Sequence, residues 1–248
     1  MQNKYNQLSS RMFHCFGTRK GEKVTAKLAS EMISASGIEQ IPINTHCIDN
    51  IDDWRDLPIG YGDATWNTVS DYIDMNNRSP IWNINLPNTA EEAVCRTKKV
   101  LQLGGLFPVK LEVLNSDTTW SNNLEVLKAV KELIHVEGIT IWPLIAPSLS
   151  DYKELVKLNC PLIRIMGSPI SSNKGIDPQY LDDIAEILSC RDALVMLDGG
   201  VNSLETIALA FELGFDHVLI NSWLFTDGGT PVKRLTQIKS FCDTYNNG

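Results

Sequence analysis

The run PVKLEV carries a lysine and a glutamate two residues apart, Lys110 and Glu112, in an otherwise apolar setting. Alternation along a β-strand sets both on one face and Val109, Leu111 and Val113 on the other. A charged pair on a buried strand is costly unless it is paired or used. Two readings are open at this strand. One is a structural ion pair filling a layer of the core. The other is a lysine whose pKa is lowered by desolvation, so that a neutral amine attacks a carbonyl while Glu112 moves protons beside it.

Three more segments hold residue types suited to an anionic, hydroxylated ligand. MLDGGVNS ends a strand with Asp198 followed by Gly199 and Gly200, which permit close backbone approach, and a helix starting near Ser203 would offer amides to a phosphate. The alternative is a tight turn with a helix cap, in which Asp198 is a turn acid and not a second catalytic carboxylate. HVLINSWLF brings Asn221 and Ser222 to the end of another strand. RIMGSPISSNKGIDP supplies Gly167, Ser168, Pro169, Ser171, Ser172 and Gly175, a polar loop able to cover a polyol or to serve as a solvated connection before Pro178.

Short apolar runs alternate with segments of helical period along the whole chain, the pattern of βα units on a parallel sheet. Eight strands are expected at 12–16, 40–44, 81–85, 108–114, 140–144, 162–166, 194–197 and 217–220, with helices at 22–36, 89–103, 122–137, 150–158, 178–189, 203–213 and 231–244. Ser203 caps one helix start and Gly214 the same helix's end. The acidic, Gly-containing stretch from Cys47 to Met75 reads as a long excursion between the second strand and its helix. Eight units in 248 residues predict a single (β/α)8 TIM barrel over residues 1–248, an α/β fold. No GxGxxG follows the first strand, which weighs against an open dinucleotide-binding sheet. In a closed barrel the chemistry sits at the C-terminal ends of the strands.

Composition bounds the function. Hydrophobic residues make up 43% and charged ones 21%, enough for a core without disulfide or metal staples. A net charge of −8 opposes a general nucleic-acid or membrane-surface role, so an anionic ligand must be held locally. Six scattered cysteines, with no CxxC pair or metal-ligand spacing, read as reduced thiols in a cytoplasmic protein that needs no metal or other cofactor. The N-terminal residues lack the apolar run of a secretory signal, and no stretch is apolar enough to span a membrane. His14 and His217 read as packed or hydrogen-bonded, and His46, near a strand end, is the histidine placed for chemistry. The tryptophans have no regular stacking spacing; Trp223 shapes the site mouth or simply packs.

Taken together, these segments resemble the bacterial thiazole synthase family. SRMFHCFGT is similar to its SRL(L)xGTGK opening, LPNTAEEAV to its PNTAGCRTAEEAV segment, VKLEV to its lysine strand and MGSPISSNKGI to its LGSPIGSGxGI loop; LDGGV and VLINSW are similar to VDAGIG and VLLNTA. The resemblance implies that Lys110 is a Schiff-base lysine for 1-deoxy-D-xylulose 5-phosphate, with Glu112 and Asp198 as acid/base carboxylates. It implies that Gly167, Ser171, Gly199, Gly200, Asn221 and Ser222 bind the sugar phosphate. It further implies a transferase that takes sulfur from a thiocarboxylated carrier protein, closes the ring with dehydroglycine and works as a homo-oligomer. Two alternatives stand beside it: the same amine chemistry on another sugar phosphate, giving a thiosugar or a specialised sulfur heterocycle, and a non-catalytic barrel that only binds a sulfur carrier.

Overall fold

The structure, a computed structural model, describes residues 10–17, 23–226 and 230–245. Along them run β1 (Met12–His14), α1 (Ala26–Ser36), β2 (Gln40–Asn44), α2 (Trp66–Ser70), β3 (Ser79–Ile84), α3 (Ala90–Gly104), β4 (Val109–Leu111), α4 (Asn123–Leu133), β5 (Ile141–Ile145), α5 (Leu149–Lys157), β6 (Leu162–Ile165), α6 (Leu181–Cys190), β7 (Leu194–Asp198), α7 (Leu204–Leu213), β8 (His217–Ile220) and α8 (Pro231–Tyr245). Neighbouring strands are parallel, in the order β1-β8-β7-β6-β5-β4-β3-β2, which makes the expected (β/α)8 barrel, nearly closed.

The expected elements are there, with shifted ends. Thr89 and Asn122, expected inside helices, stand one residue before them, where each side chain accepts a backbone N–H of the first turn, and Ser203 caps α7 in the same way, as expected. Gly214 ends α7 at φ 107°, as the sequence suggested. The helix expected from 22 starts at Ala26 behind an N-cap Thr25, and Glu22 lies outside the described residues. Pro178–Tyr180 forms a separate 3-10 turn ahead of α6.

The Cys47–Met75 stretch resolves into two 3-10 turns and the five-residue α2, and it fills the seam between β1 and β2. Asn44 N–H donates to the Pro58 carbonyl at 2.8 Å, and Tyr61 N–H donates to the Phe16 carbonyl at 2.9 Å. Gly60 fits this wedge because it adopts φ +76° and because a Cβ there would stand 1.8 Å from the Phe16 carbonyl oxygen. Outside the barrel, Trp54 packs edge-on against Trp66 and Trp82, at ring-centroid distances of 5.1 and 5.6 Å. Three of the tryptophans without sequence spacing, Trp54, Trp66 and Trp82, thus form an anchor for the excursion.

Strand alternation divides the core in two. Val109, Leu111 and Val113 join the large cluster between sheet and helices, while Phe13, Ile81, Trp142, Leu162, Met196 and Leu219 form a smaller apolar cluster. Two residues further along several of the same strands stand Cys15, Asn83, Arg164 and Asp198, joined by Lys110 of β4. Period-two geometry therefore stacks a polar layer above an apolar floor inside the barrel.

Candidate active site

The polar layer opens into a cavity of about 750 Å³ at the C-terminal ends of the strands. The Lys110–Glu112 pair and Asp198, singled out in two different segments of the sequence, meet at its base. Lys110 Nζ donates to Glu112 Oε1 and, at 3.2 Å, to Asn83 Oδ1, and it lies 3.8 Å from Asp198 Oδ2. Ser171, Asn221 and Ser222 also line the cavity. Ser222 Oγ donates to Ser171 Oγ at 3.4 Å, linking the loops after β8 and β6.

Gly167, Gly199 and Gly200 do not line the cavity; they let the loops after β6 and β7 pack behind its wall. A Cβ on Gly167 would meet the Gly199 carbonyl at 2.9 Å, and one on Gly200 would meet the Gly175 carbonyl at 2.4 Å. His46, the histidine expected near the chemistry, is exposed, stacks on Tyr61 at 6.2 Å and does not line the cavity. His14 and His217 are hydrogen-bonded within the core, as read: His14 Nε2 lies 2.9 Å from Ser36 Oγ, and His217 Nδ1 lies 3.1 Å from the Ser10 carbonyl. Trp223 packs under the Arg234 guanidinium and does not line the cavity.

The electrostatics correct one expectation. Burial pushes the Lys110 pKa down, as the sequence suggested, and Arg164 pushes the same way, but Glu112 and Asp198 outweigh both and hold the ammonium form above the usual lysine range. Burial of Glu112 favours its neutral acid, yet Lys110 and Arg164 together keep it ionised below the usual carboxylate range. The resting site is therefore an ion cluster, in which a neutral Lys110 amine requires that a proton pass to a neighbour. Cys15 also lines the cavity, where burial pushes its thiol up to about 11, so it is protonated near neutrality.

Sequence reasoning missed three groups. Arg164, on β6 and 0% exposed, reaches Glu112 Oε1 at 3.2 Å and Asp198 Oδ2 at 3.4 Å; its signal was a lone cation inside an apolar strand. An amide wall was missed because its members lie on two strands: Asn83 Nδ2 donates to Asn44 Oδ1 at 2.6 Å, and Asn85 Nδ2 donates to the Tyr61 hydroxyl at 2.9 Å. Lys23, after β1, brings a further cation to the cavity. Four non-glycine residues in left-handed backbone, Leu86, Thr118, Ser171 and Asn173, stand around the same cavity. Such strain gathers where surrounding structure fixes a functional shape. No cluster of metal-ligating side chains occurs among the described residues, and none of their helices is long and apolar enough to cross a membrane.

Known proteins resemble this chain in sequence and in fold. The family profile described as thiazole biosynthesis protein ThiG matches residues 59–235. A thiazole synthase of Citrifermentans bemidjiense is 34% identical over 166 residues, covering 66% of this chain and 62% of that protein. Those of Geobacter metallireducens and Exiguobacterium sibiricum are 33% and 35% identical, covering 64% and 67% of this chain and 61% and 64% of theirs. The match thus spans less than two thirds of these relatives' length. Among solved structures, the Amycolatopsis orientalis BexX/CysO complex has a chain with a TM-score of 0.81 at 21% identity, covering 97% of this chain and 93% of that one. Phosphoribosyl anthranilate isomerase from Thermus thermophilus has a TM-score of 0.56 at 10% identity, covering 95% and 100%. Both likenesses are of fold.

Proposed function

Because the chain belongs to the ThiG family of thiazole biosynthesis proteins, we propose that it is a Schiff-base enzyme whose Lys110 condenses with 1-deoxy-D-xylulose 5-phosphate on the way to thiamin thiazole phosphate. The observation that carries this reading is the position of Lys110 Nζ at the base of a large cavity, between a carboxylate that can take its proton and a neutral amide that can aim it. Glu112 accepts one ammonium proton and the freed amine adds to the carbonyl carbon. The nitrogen passes a second proton to the carbonyl oxygen, which leaves as water with the proton that Glu112 held. A protonated imine with one N–H remains, and it acts as an electron sink that acidifies the neighbouring carbon. Asp198, within ion-pair reach of the same nitrogen, serves the later proton shifts along the sugar.

The loops after β6 and β8, through Ser171, Asn221 and Ser222, hold the phosphate end in this reading, with Gly167, Gly199 and Gly200 shaping the backbone behind them. Lys23 supplies a counter-charge at the rim. Sulfur then comes from a thiocarboxylated carrier protein and dehydroglycine completes the ring, which makes the enzyme a transferase of the cytoplasm, and the family likeness supports a homo-oligomer. That the solved BexX structure is a complex with CysO supports a protein partner for this barrel as well.

The amide wall favours one second reading. A chain held by its phosphate near β8 extends past Lys110 toward Asn44, Asn83, Asn85 and Tyr61, and a hydroxyl there suits the wall better than the methyl group of deoxyxylulose. A fully hydroxylated sugar phosphate is the second candidate substrate.

Borohydride trapping tests both. Deoxyxylulose phosphate is expected to add its mass to the peptide containing Lys110, and Lys110→Ala is expected to lose the adduct. An unmodified Lys110 under every sugar phosphate of a saturating panel sinks the Schiff-base reading, and an adduct with hydroxylated sugars alone replaces the substrate.

A further inference from the structure

Arg164 contacts both carboxylates from below, and it does not line the cavity. Its Nη2 also donates to the Leu111 carbonyl at 3.4 Å, which fixes the guanidinium against β4. The groups around it are otherwise neutral: the protonated Cys15 thiol just past β1, His14 at the end of β1, whose imidazole is pushed down to about 4 by burial, Gln40 on β2, and Trp142 and Met196 on β5 and β7. The buried charges are therefore two cations, Lys110 and Arg164, facing two anions, Glu112 and Asp198.

We propose that Arg164 is a positioning residue that balances the second carboxylate, so that Lys110, Glu112 and Asp198 can exchange a proton inside a buried set of zero net charge. A lysine with a single carboxylate would already be neutral; adding Asp198 for later proton transfers leaves one excess anion, which low-dielectric surroundings penalise. Arg164 removes that excess permanently, because a guanidinium does not deprotonate in this range. The balance survives the chemistry. Ammonium plus carbonyl gives protonated imine plus water, so the set holds one positive nitrogen at Lys110 before and after the step, and Glu112 returns to its ionised form. Without Arg164, one carboxyl retains a proton to higher pH and is not available as a base.

The role in turnover rests on the Schiff-base reading, whereas the charge balance can be read without it. The test is a carbon-13 carboxyl titration of Glu112 and Asp198, assigned with Glu112→Gln and Asp198→Asn, in the full-length wild type, Arg164→Met and Arg164→Lys. One carboxyl of Arg164→Met is expected to titrate higher by about one pH unit or more, the usual effect of an adjacent opposite charge. Arg164→Lys is expected to stay near wild type, and it keeps the test open should the methionine variant not fold. The double variant Arg164→Met/Asp198→Asn again has one cation and one anion, so Glu112 is expected to return toward its wild-type titration. Unchanged carboxyl titrations in a folded Arg164→Met protein overturn the proposal, as does a double variant that titrates like the single one. In parallel, the pH below which sugar-phosphate trapping declines is expected to rise in Arg164→Met; a uniform loss at every pH marks a merely structural residue. If the titration moves while wild-type Lys110 traps nothing, the Schiff-base reading falls and the charge balance stands.

Discussion

Asn83 and Lys110 are register partners across the β3–β4 pair, and the lysine Nζ donates to the Asn83 side-chain oxygen at 3.2 Å. The amide is tied down in turn: its nitrogen donates to Asn44, whose own nitrogen donates to the Gly60 carbonyl at 2.5 Å. The lysine is thereby connected to the wedge that fills the barrel seam.

Replacing Asn83 by leucine removes the group that aims Nζ and leaves the Asn44 side chain short of a donor. The Asn44 oxygen then keeps only the 3.5 Å donation from Asn85 Nδ2, and losing a buried hydrogen bond costs about 1 kcal/mol, so the variant is expected to fold with a lowered melting temperature. Trapping at Lys110 is expected to slow by roughly tenfold or more, as expected for a misplaced reacting group. Stopped trapping reactions read by mass spectrometry check the rate.

Glu112→Gln and Asp198→Asn separate the two carboxylates. The glutamine still hydrogen-bonds the lysine but accepts no proton, so imine formation is expected to slow by about a hundredfold, the low end of acid–base contributions. Asp198→Asn is expected to preserve the adduct and to slow product formation. Undiminished product formation in both variants removes both carboxylates from the mechanism.

His14 makes stability depend on pH. Burial pushes its imidazole from the ordinary 6.5 down to about 4, against the pull of the Cys15 carbonyl. A group whose folded pKa lies below its unfolded value stabilises the fold above that value, and the stabilisation is lost as pH falls through the window from 6.5 toward 4. A depression of this size corresponds to about 3 kcal/mol. His14→Gln is expected to flatten the loss, so urea midpoints at the two ends of the window should differ less in the variant than in wild type.

Gly60→Ala tests the seam. Left-handed backbone alone costs a side-chain-bearing residue about 1–2 kcal/mol, and the added Cβ meets the Phe16 carbonyl. The melting temperature is expected to fall by roughly 3 °C or more. A variant as stable as wild type shows that the wedge does not hold β1 to β2.

What the sequence determined by itself was whatever repeats locally. Alternating βα units specified the barrel, period-two spacing specified that Lys110 and Glu112 share a face, and turn residues such as Asp198-Gly199-Gly200 marked a strand end. Tertiary structure decided what depends on residues far apart in the chain. Arg164 is 54 positions from Lys110 yet contacts the same carboxylates, and no spacing rule links β4 to β6. The same distance problem hid the Asn44–Asn83–Asn85 wall and made the excursion look unplaced until Trp54 and Gly60 met their partners. The protonation of Lys110 was decided last of all: burial alone argues for a neutral amine, Glu112 stands beside it by strand spacing, and the closure of the barrel adds Asp198 of β7, so that together the two carboxylates reverse that sign.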